Sequence, residues 1–163
     1  MALSLENPNL VRQKVYAALS GTNNPSAQNR LFWSAAREFF RNWVSEGANA
    51  NLQFIPYSEA DADAAGGTVL ADAACKVYVF YVNKTGSATT ENTTKLFDDA
   101  TDDTTTTDQV LGLTTAAAGQ EAITVYPTGF SMAAGVVVTQ HTTPEGTTDG
   151  SDGGDGFIVI GAA

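Results

Sequence analysis

The sequence predicts a mainly β protein, an antiparallel β-sandwich or jelly-roll-like barrel, with an N-terminal α-helical region of two helices. Residues 1–50 carry helix-capping residues and a helical apolar period, whereas residues 51–163 carry short β-branched runs separated by Gly, Thr, Asp and Ser. The first 50 residues hold five Lys or Arg against three Asp or Glu, and the remainder hold three against fifteen. We therefore expect a helical attachment or oligomerisation region at 1–50 and a β-sandwich body at 51–163.

The first helix is predicted from its capping residues and its apolar spacing. Asn7-Pro8 is typical of an N-cap followed by proline at the first helical position, and Gly21 ends the helix. The spacing i, i+4, i+7, i+8 of Val11, Val15, Ala18 and Leu19 places these side chains on one face. We expect this face to be buried.

A second helix is predicted between Asn24-Pro25 and Gly47, with apolar residues over more than half of its circumference. A surface helix needs an apolar stripe only about 100° wide, so one neighbour cannot cover this helix. Either its own body and the first helix cover it, or a second chain covers part of it, and its large apolar surface favours the second arrangement. The residues predicted for this interface with another subunit are Leu31, Phe32, Trp33, Phe39, Phe40 and Trp43, with Arg30, Arg37 and Arg41 on the narrow polar side.

The β body is predicted from short apolar runs. Residues 52–57 are expected to form an edge strand, because Pro56 is tolerated only at an edge or a bulge. Residues 76–83, KVYVFYVN, do not alternate with polar residues, so both faces of this strand should be covered. Residues 58–75 are interpreted as an acidic, alanine-rich connection. Further strands are expected near 94–98, 109–114, 121–126, 134–140 and 156–161.

Composition argues against several functional classes. A single cysteine, Cys75, leaves no intrachain disulfide framework. The pI near 4.2 opposes nucleic-acid binding, which depends on Lys and Arg at the phosphates. No run approaches the roughly 20 apolar residues of a membrane-spanning helix, and residues 1–6 do not resemble a secretory signal. We expect synthesis in the cytoplasm and neither nucleic acid nor membrane as a partner.

No residue is predicted to be catalytic, and no cofactor is expected. His141 is the only histidine, so a Ser-His-Asp or Cys-His mechanism would require it, yet it enters a Thr/Pro/Gly-rich loop. Cys75 has no neighbouring histidine or helix N-terminus in the sequence to lower its pKa. Neither residue has the neighbours that activate a nucleophile.

Two acidic stretches superficially resemble cation sites. Calcium loops of the EF-hand type place acids at alternate positions and end on a glutamate, and neither stretch follows this pattern. We therefore predict solvated turns and no metal site. The residues concerned are Asp149, Asp152 and Asp155 in one stretch, and Asp98, Asp99, Asp102 and Asp103 in the other.

A corner is predicted where the strand at 121–126 ends. Pro127 should end the hydrogen-bonded ladder, Gly129 should supply a positive φ, and Phe130 should then turn inward. Gly135 begins the next strand. The corner consists of Tyr126, Pro127, Thr128, Gly129 and Phe130.

The segment GQEAITVYPTGFSMAAGVVVTQ, residues 119–140, resembles a pattern common in small tailed-bacteriophage virion proteins, and the acidic, Thr/Ala/Gly-rich composition is similar to that of capsid decoration or cement proteins. The resemblance implies a non-enzymatic virion protein that binds and stabilises the head shell as a homo-oligomer, by analogy a trimer. The implied partners are further copies and the major capsid protein or another virion protein. The alternative is a receptor- or glycan-binding module of a phage tail or fibre, whose Thr- and Asp-rich loops contact a host surface.

Overall fold

The protein is mainly β in the part of the chain that its computed structural model describes. Eight strands form two four-stranded antiparallel sheets, and residues 59–62 form a short helix. The described residues are 10–11, 13–15, 52–83, 92–101, 109–115, 121–142 and 154–163, of which 10–11 and 13–15 are helical. The boundary predicted at residue 50 lies outside these ranges, so the division into two regions stays a prediction.

The observed strands confirm the seven predicted positions and add one. The added strand, β2, lies inside 58–75, so the prediction of a plain connection there was wrong. Its four residues are too short to show a period, and pairing with a distant strand stabilises it. The elements are β1 Leu52–Tyr57, α1 Glu59–Ala62, β2 Thr68–Ala71, β3 Cys75–Asn83, β4 Asn92–Phe97, β5 Gln109–Thr115, β6 Glu121–Met132, β7 Val136–His141 and β8 Asp155–Ala162.

The strand order follows from a single long hairpin. β1 pairs with β8, β2 with β7, β3 with β6 and β4 with β5, each antiparallel, as if the connection between β4 and β5 were the tip. Two further antiparallel ladders, β3 with β8 and β4 with β7, join these strand pairs into two sheets. The first sheet has the order β1-β8-β3-β6 and the second β2-β7-β4-β5. The described strands form two sheets and no closed barrel, which is compatible with the sandwich of the predicted sandwich or jelly-roll-like barrel.

The two sheets share one hydrophobic core, which we call the inter-sheet core. The first sheet contributes Val77, Phe80 and Ile158, and the second contributes Leu96 and Val138. The short helix α1 places Ala62 in the same cluster. Burial of these side chains is the main source of stability, because each aliphatic or aromatic side chain removed from water contributes about 1.5–3 kcal/mol.

The outer face of the first sheet carries a second cluster, so strand β3 is covered on both faces, as predicted. Val79 and Tyr81 point to this outer cluster, whereas Phe80 points to the inter-sheet core. Val11 and Val15 belong to the outer cluster and are fully buried, which confirms the predicted burial at these two positions, whereas Ala18 and Leu19 lie outside the described residues. The alternation of β3 side chains between the two faces of the sheet is interrupted at Tyr78, where the ladders of β3 with β6 and with β8 both shift register.

The paired sheets have two ends, at which different strands begin and finish. The connections 72–74 and 133–135 are three residues long and lie at the end where residues 98–101 follow β4. We call this the Asp98 end. At the opposite end, which we call the Gln140 end, β1 and β7 finish and β8 begins.

Candidate functional site

The interface predicted on the second helix lies outside the described residues. It comprises Leu31, Phe32, Trp33, Phe39, Phe40, Trp43, Arg30, Arg37 and Arg41, and it stays a prediction. The helical residues that the structure does describe include no stretch long and apolar enough to cross a bilayer.

The predicted corner lies at the largest irregularity of the β3–β6 ladder. Val77 pairs with Phe130 and Val79 pairs with Val125, so the single residue Tyr78 faces four residues, 126–129. Pro127 interrupts the ladder but does not end the strand, since β6 continues to Met132. The prediction that the strand and its ladder end at Pro127 was therefore wrong, because the ladder resumes at Phe130.

Gly129 allows the chain to pass this irregularity. Its φ of 76° is the positive value that the sequence predicted. A Cβ at this position would lie 2.9 Å from Lys76 Cβ and 3.0 Å from the Tyr78 ring, so the corner has no room for a side chain. The rings of Tyr126 and Phe130 lie 5.7 Å apart and pack against the inter-sheet core. The corner is thus a packing feature, with Pro127 exposed.

The acids at the Asp98 end stabilise turns. Asp98 accepts hydrogen bonds from the N–H groups of Ala133, at 2.9 Å, and Ala134, at 2.7 Å. Asp99 Oδ1 accepts from both the N–H and the hydroxyl of Thr101, each at 2.9 Å. These bonds lower the pKa of Asp99. Asp102 and Asp103 lie outside the described residues.

The second acidic stretch contributes one described residue, Asp155. Its Oδ1 accepts the backbone N–H of Glu59 at 2.9 Å, at the first turn of α1. Asp149 and Asp152 lie outside the described ranges. Within those ranges no group of three or more His, Cys, Asp or Glu residues is arranged to hold a metal ion.

Cys75 is a buried thiol at the Asp98 end. Burial, and secondarily the negative charge of Asp98, raise its pKa to about 11. The thiol is therefore protonated at neutral pH, and only the thiolate is a good nucleophile. Its side chain belongs to the inter-sheet core, so the role of Cys75 is explained by packing.

His141 lies at the other end of the molecule and on another face. It ends β7 with 3% of its surface exposed, and its ring meets that of Phe97 edge-on at 6.0 Å. Cross-strand pairing places it opposite Thr93, next to the pair Lys95 and Thr139. Burial lowers the pKa of Lys95. His141 lies on the outer face of the second sheet and Cys75 belongs to the inter-sheet core, so the described structure shows no Cys-His pair.

The inner face of the second sheet changes from apolar to polar towards the Gln140 end. Leu96 pairs with Val138 in the inter-sheet core, and the next inward pair is Thr94 with Gln140. Gln140 is 1% exposed, and neither Oε1 nor Nε2 has a hydrogen-bond partner among the described residues. The sequence analysis missed this residue. The only sequence feature that indicated it was alternation along β7, which places the side chains of Val136, Val138 and Gln140 on the same inward face.

Comparison with protein-family models, with curated proteins and with solved structures finds no match.

Proposed function

We propose that the chain is a non-enzymatic virion structural protein, a capsid decoration or cement protein that binds and stabilises a phage head shell as a homo-oligomer. The observation that carries this proposal is the strand order β1-β8-β3-β6 and β2-β7-β4-β5. It is the order of a jelly roll, a two-sheet fold used by viral capsid domains. The fold supports the proposal by analogy, and the phage-like segment at 119–140 supports it independently.

The chemistry of the described residues agrees with a structural role. Cys75 and His141 lie at opposite ends, and Asp98, Asp99 and Asp155 are engaged in turns and helix capping. A protein that coats a shell needs a stable fold and a hydrated surface, and the net charge of −10 favours solubility at high local concentration. No cofactor is part of the proposal.

The second candidate is a receptor- or glycan-binding module of a tail or fibre. Jelly rolls also serve as lectin domains, so the strand order is compatible with this function. The specific observation in its favour is the polar layer at the Gln140 end, where a buried carboxamide has no partner among the described residues.

Immunogold labelling of the virions that contain this chain tests both candidates. A decoration protein should label the head surface at regular spacing, and light scattering of the purified chain should give the mass of a trimer. Label confined to the tail tip would support the receptor-binding alternative. Unlabelled virions together with a monomeric mass would contradict both proposals.

The predicted helix interface can be tested separately. The double variant Trp33→Ser, Phe40→Ser should lose assembly while the β body keeps its far-UV and near-UV circular dichroism. Leu10→Ser is the control, because Leu10 lies on the first helix with 44% of its surface exposed. Simultaneous loss of assembly and of the folded β body would mean that the aromatic helix is part of the core.

A further inference from the structure

The outer face of the second sheet is buried along its two middle strands, β4 and β7. Phe97 and Val137 point outward at the Asp98 end, are at most 1% exposed, and belong to neither hydrophobic cluster of the described residues. The Phe97 ring meets the His141 ring at 6.0 Å, so the buried strip is continuous along the face. A further part of the chain therefore covers it. The outward side chains of the strip, each at most 3% exposed, are Thr93, Lys95, Phe97, Val137, Thr139 and His141.

The width of this strip matches one helix. On the edge strands beside it, Val69 of β2 is 37% exposed and Gly112 of β5 is also exposed. Neighbouring strands lie about 4.8 Å apart, so a cover two strands wide spans about 10 Å, the diameter of an α-helix. The first sheet offers a precedent, because Val11 and Val15 of the first helix cover the middle of its outer face.

One segment outside the described ranges has the aromatic surface to cover Phe97 and Val137. The strand connections outside those ranges contain no Val, Leu, Ile, Met, Phe, Tyr or Trp; they are 84–91, 102–108, 116–120 and 143–153. Residues 1–9 contain no aromatic residue. The predicted second helix, 24–47, contains both tryptophans and three phenylalanines.

The path of the chain brings the same segment towards this face. Only residues 48–51 separate the predicted end of the second helix from Leu52, which begins β1 at the Asp98 end. The last turns of that helix, with Phe39 and Trp43, are therefore expected at the end of the molecule where Phe97 and Val137 lie.

We propose that the outer face of the second sheet is the docking site of this chain's own segment 24–47, the predicted second helix. Phe39 and Trp43, one helical turn apart, pack on Phe97 and Val137. Trp33 and Phe40 lie about 90° further around the helix and stay available to a second subunit. The docking does not depend on a role in a virion.

Contacts of the indole rings test the docking, because Trp33 and Trp43 are the only tryptophans of the chain. In the full chain with ¹³C-labelled valine methyl groups, the Val137 signals are those lost in Val137→Ile. A nuclear Overhauser contact should join Val137 to an indole proton. Val79 is the matched control, because it packs with the first helix on the other outer face and should show no indole contact.

A mixed sample identifies the copy that supplies the helix. Copies with labelled valine and deuterated tryptophan are mixed with copies that carry unlabelled valine and protonated tryptophan, so a contact can arise only between copies. No contact to Val137 is expected in this sample. The proposal is overturned if the contact appears there, if Val137 has no indole contact in the fully protonated chain, or if the indoles contact Val79 instead.

Amine labelling gives a second measurement. Lys95 lies in the covered strip with no exposed surface, whereas Lys76 on β3 is half-buried. In the double variant Phe39→Ser, Trp43→Ser, acetylation of Lys95 should rise to the rate of Lys76, as measured by peptide mass spectrometry. Continued protection of Lys95 in that variant would contradict the docking.

Two controls separate loss of the cover from loss of the fold. Trp33→Ser, Phe40→Ser changes the other side of the predicted helix and should leave Lys95 protected. The Cys75 thiol lies in the inter-sheet core and should stay unreactive in both double variants. If Cys75 reacts, the variant has unfolded, and the indole contacts of the parent chain decide the question. None of these measurements uses virions, so the proposed function is judged separately.

Discussion

The two ends of the paired sheets differ in whether their polar side chains are hydrogen-bonded. At the Asp98 end, short connections of small residues bring backbone N–H groups to a carboxylate that accepts them. At the Gln140 end, a carboxamide is buried without a partner among the described residues. One end therefore gains stability from its polar groups, and the other carries a polar group that costs stability.

The largest expected effect is at Gly135, in the tightest connection of the Asp98 end. A Cβ here would overlap the Ala71 carbonyl oxygen and lie 2.7 Å from the Asp99 carbonyl oxygen, and backbone atoms cannot move aside cheaply. Gly135→Ala should lower the free energy of unfolding by about 3 kcal/mol, measured by urea denaturation. The exposed neighbour Ala134→Ser is the control, with an expected change within about 0.5 kcal/mol. Equal stability of the two variants would mean that the close approach is absent in solution.

The next largest effect is expected at Asp98 itself. Its Oδ2 accepts from Ala133 and its Oδ1 from Ala134, so Asp98→Asn leaves one N–H facing an amide NH₂ group. The free energy of unfolding should fall by about 2 kcal/mol, the range for hydrogen bonds to charged groups. Asp99→Asn is a matched control, because Asp99 accepts both bonds from Thr101 at Oδ1 and asparagine keeps that oxygen. If both variants lose the same stability, net charge and not bond geometry explains the effect.

At the Gln140 end the same kind of substitution should have the opposite sign. Gln140→Met removes a buried carboxamide without hydrogen bonds and keeps a similar volume, so the free energy of unfolding should rise by about 1 kcal/mol. Urea denaturation of this variant beside Gln53→Met, on the half-buried edge position, measures the difference. A loss of stability in Gln140→Met would show that the amide has a partner in the free protein.

The smallest expected effect concerns the pKa of Asp99, at the Asp98 end. The hydrogen bonds from Thr101 hold the pKa of Asp99 below its ordinary value. A carboxyl whose pKa is lower in the folded state stabilises that state above the unfolded pKa, and this contribution disappears as the pH falls through the folded pKa. Carboxyl ¹³C NMR should give an Asp99 midpoint below that of a free aspartate. Thr101→Val should raise the midpoint, and an unchanged midpoint would show that the hydroxyl bond is not formed.

Local sequence patterns predicted much of the β body. The unbroken apolar run at 76–83 indicated a strand covered on both faces, and β3 has this environment. Gly129 indicated a positive φ after Pro127, and the corner has it. These predictions succeeded because the cause of each feature lies within a few residues of the feature itself.

Features that depend on distant partners were not predicted. β2 has only four residues, and its pairing with β7 brings together positions about 70 apart in the sequence. Asp98 was interpreted as part of a solvated turn, yet its partners Ala133 and Ala134 lie 35 and 36 residues away. Likewise, alternation could place Gln140 on the inward face, but only the packing of the second sheet shows that its amide is buried.

The sequence by itself determined the class of fold, the places where seven strands form and the residues that allow the corner, because backbone preferences and apolar periods are local properties. The tertiary structure decided the roll of eight strands into two sheets, the pairing of Asp98 with a remote turn and the burial of Gln140. These depend on which distant surfaces meet, and contacts between distant segments follow from the packing of the whole chain.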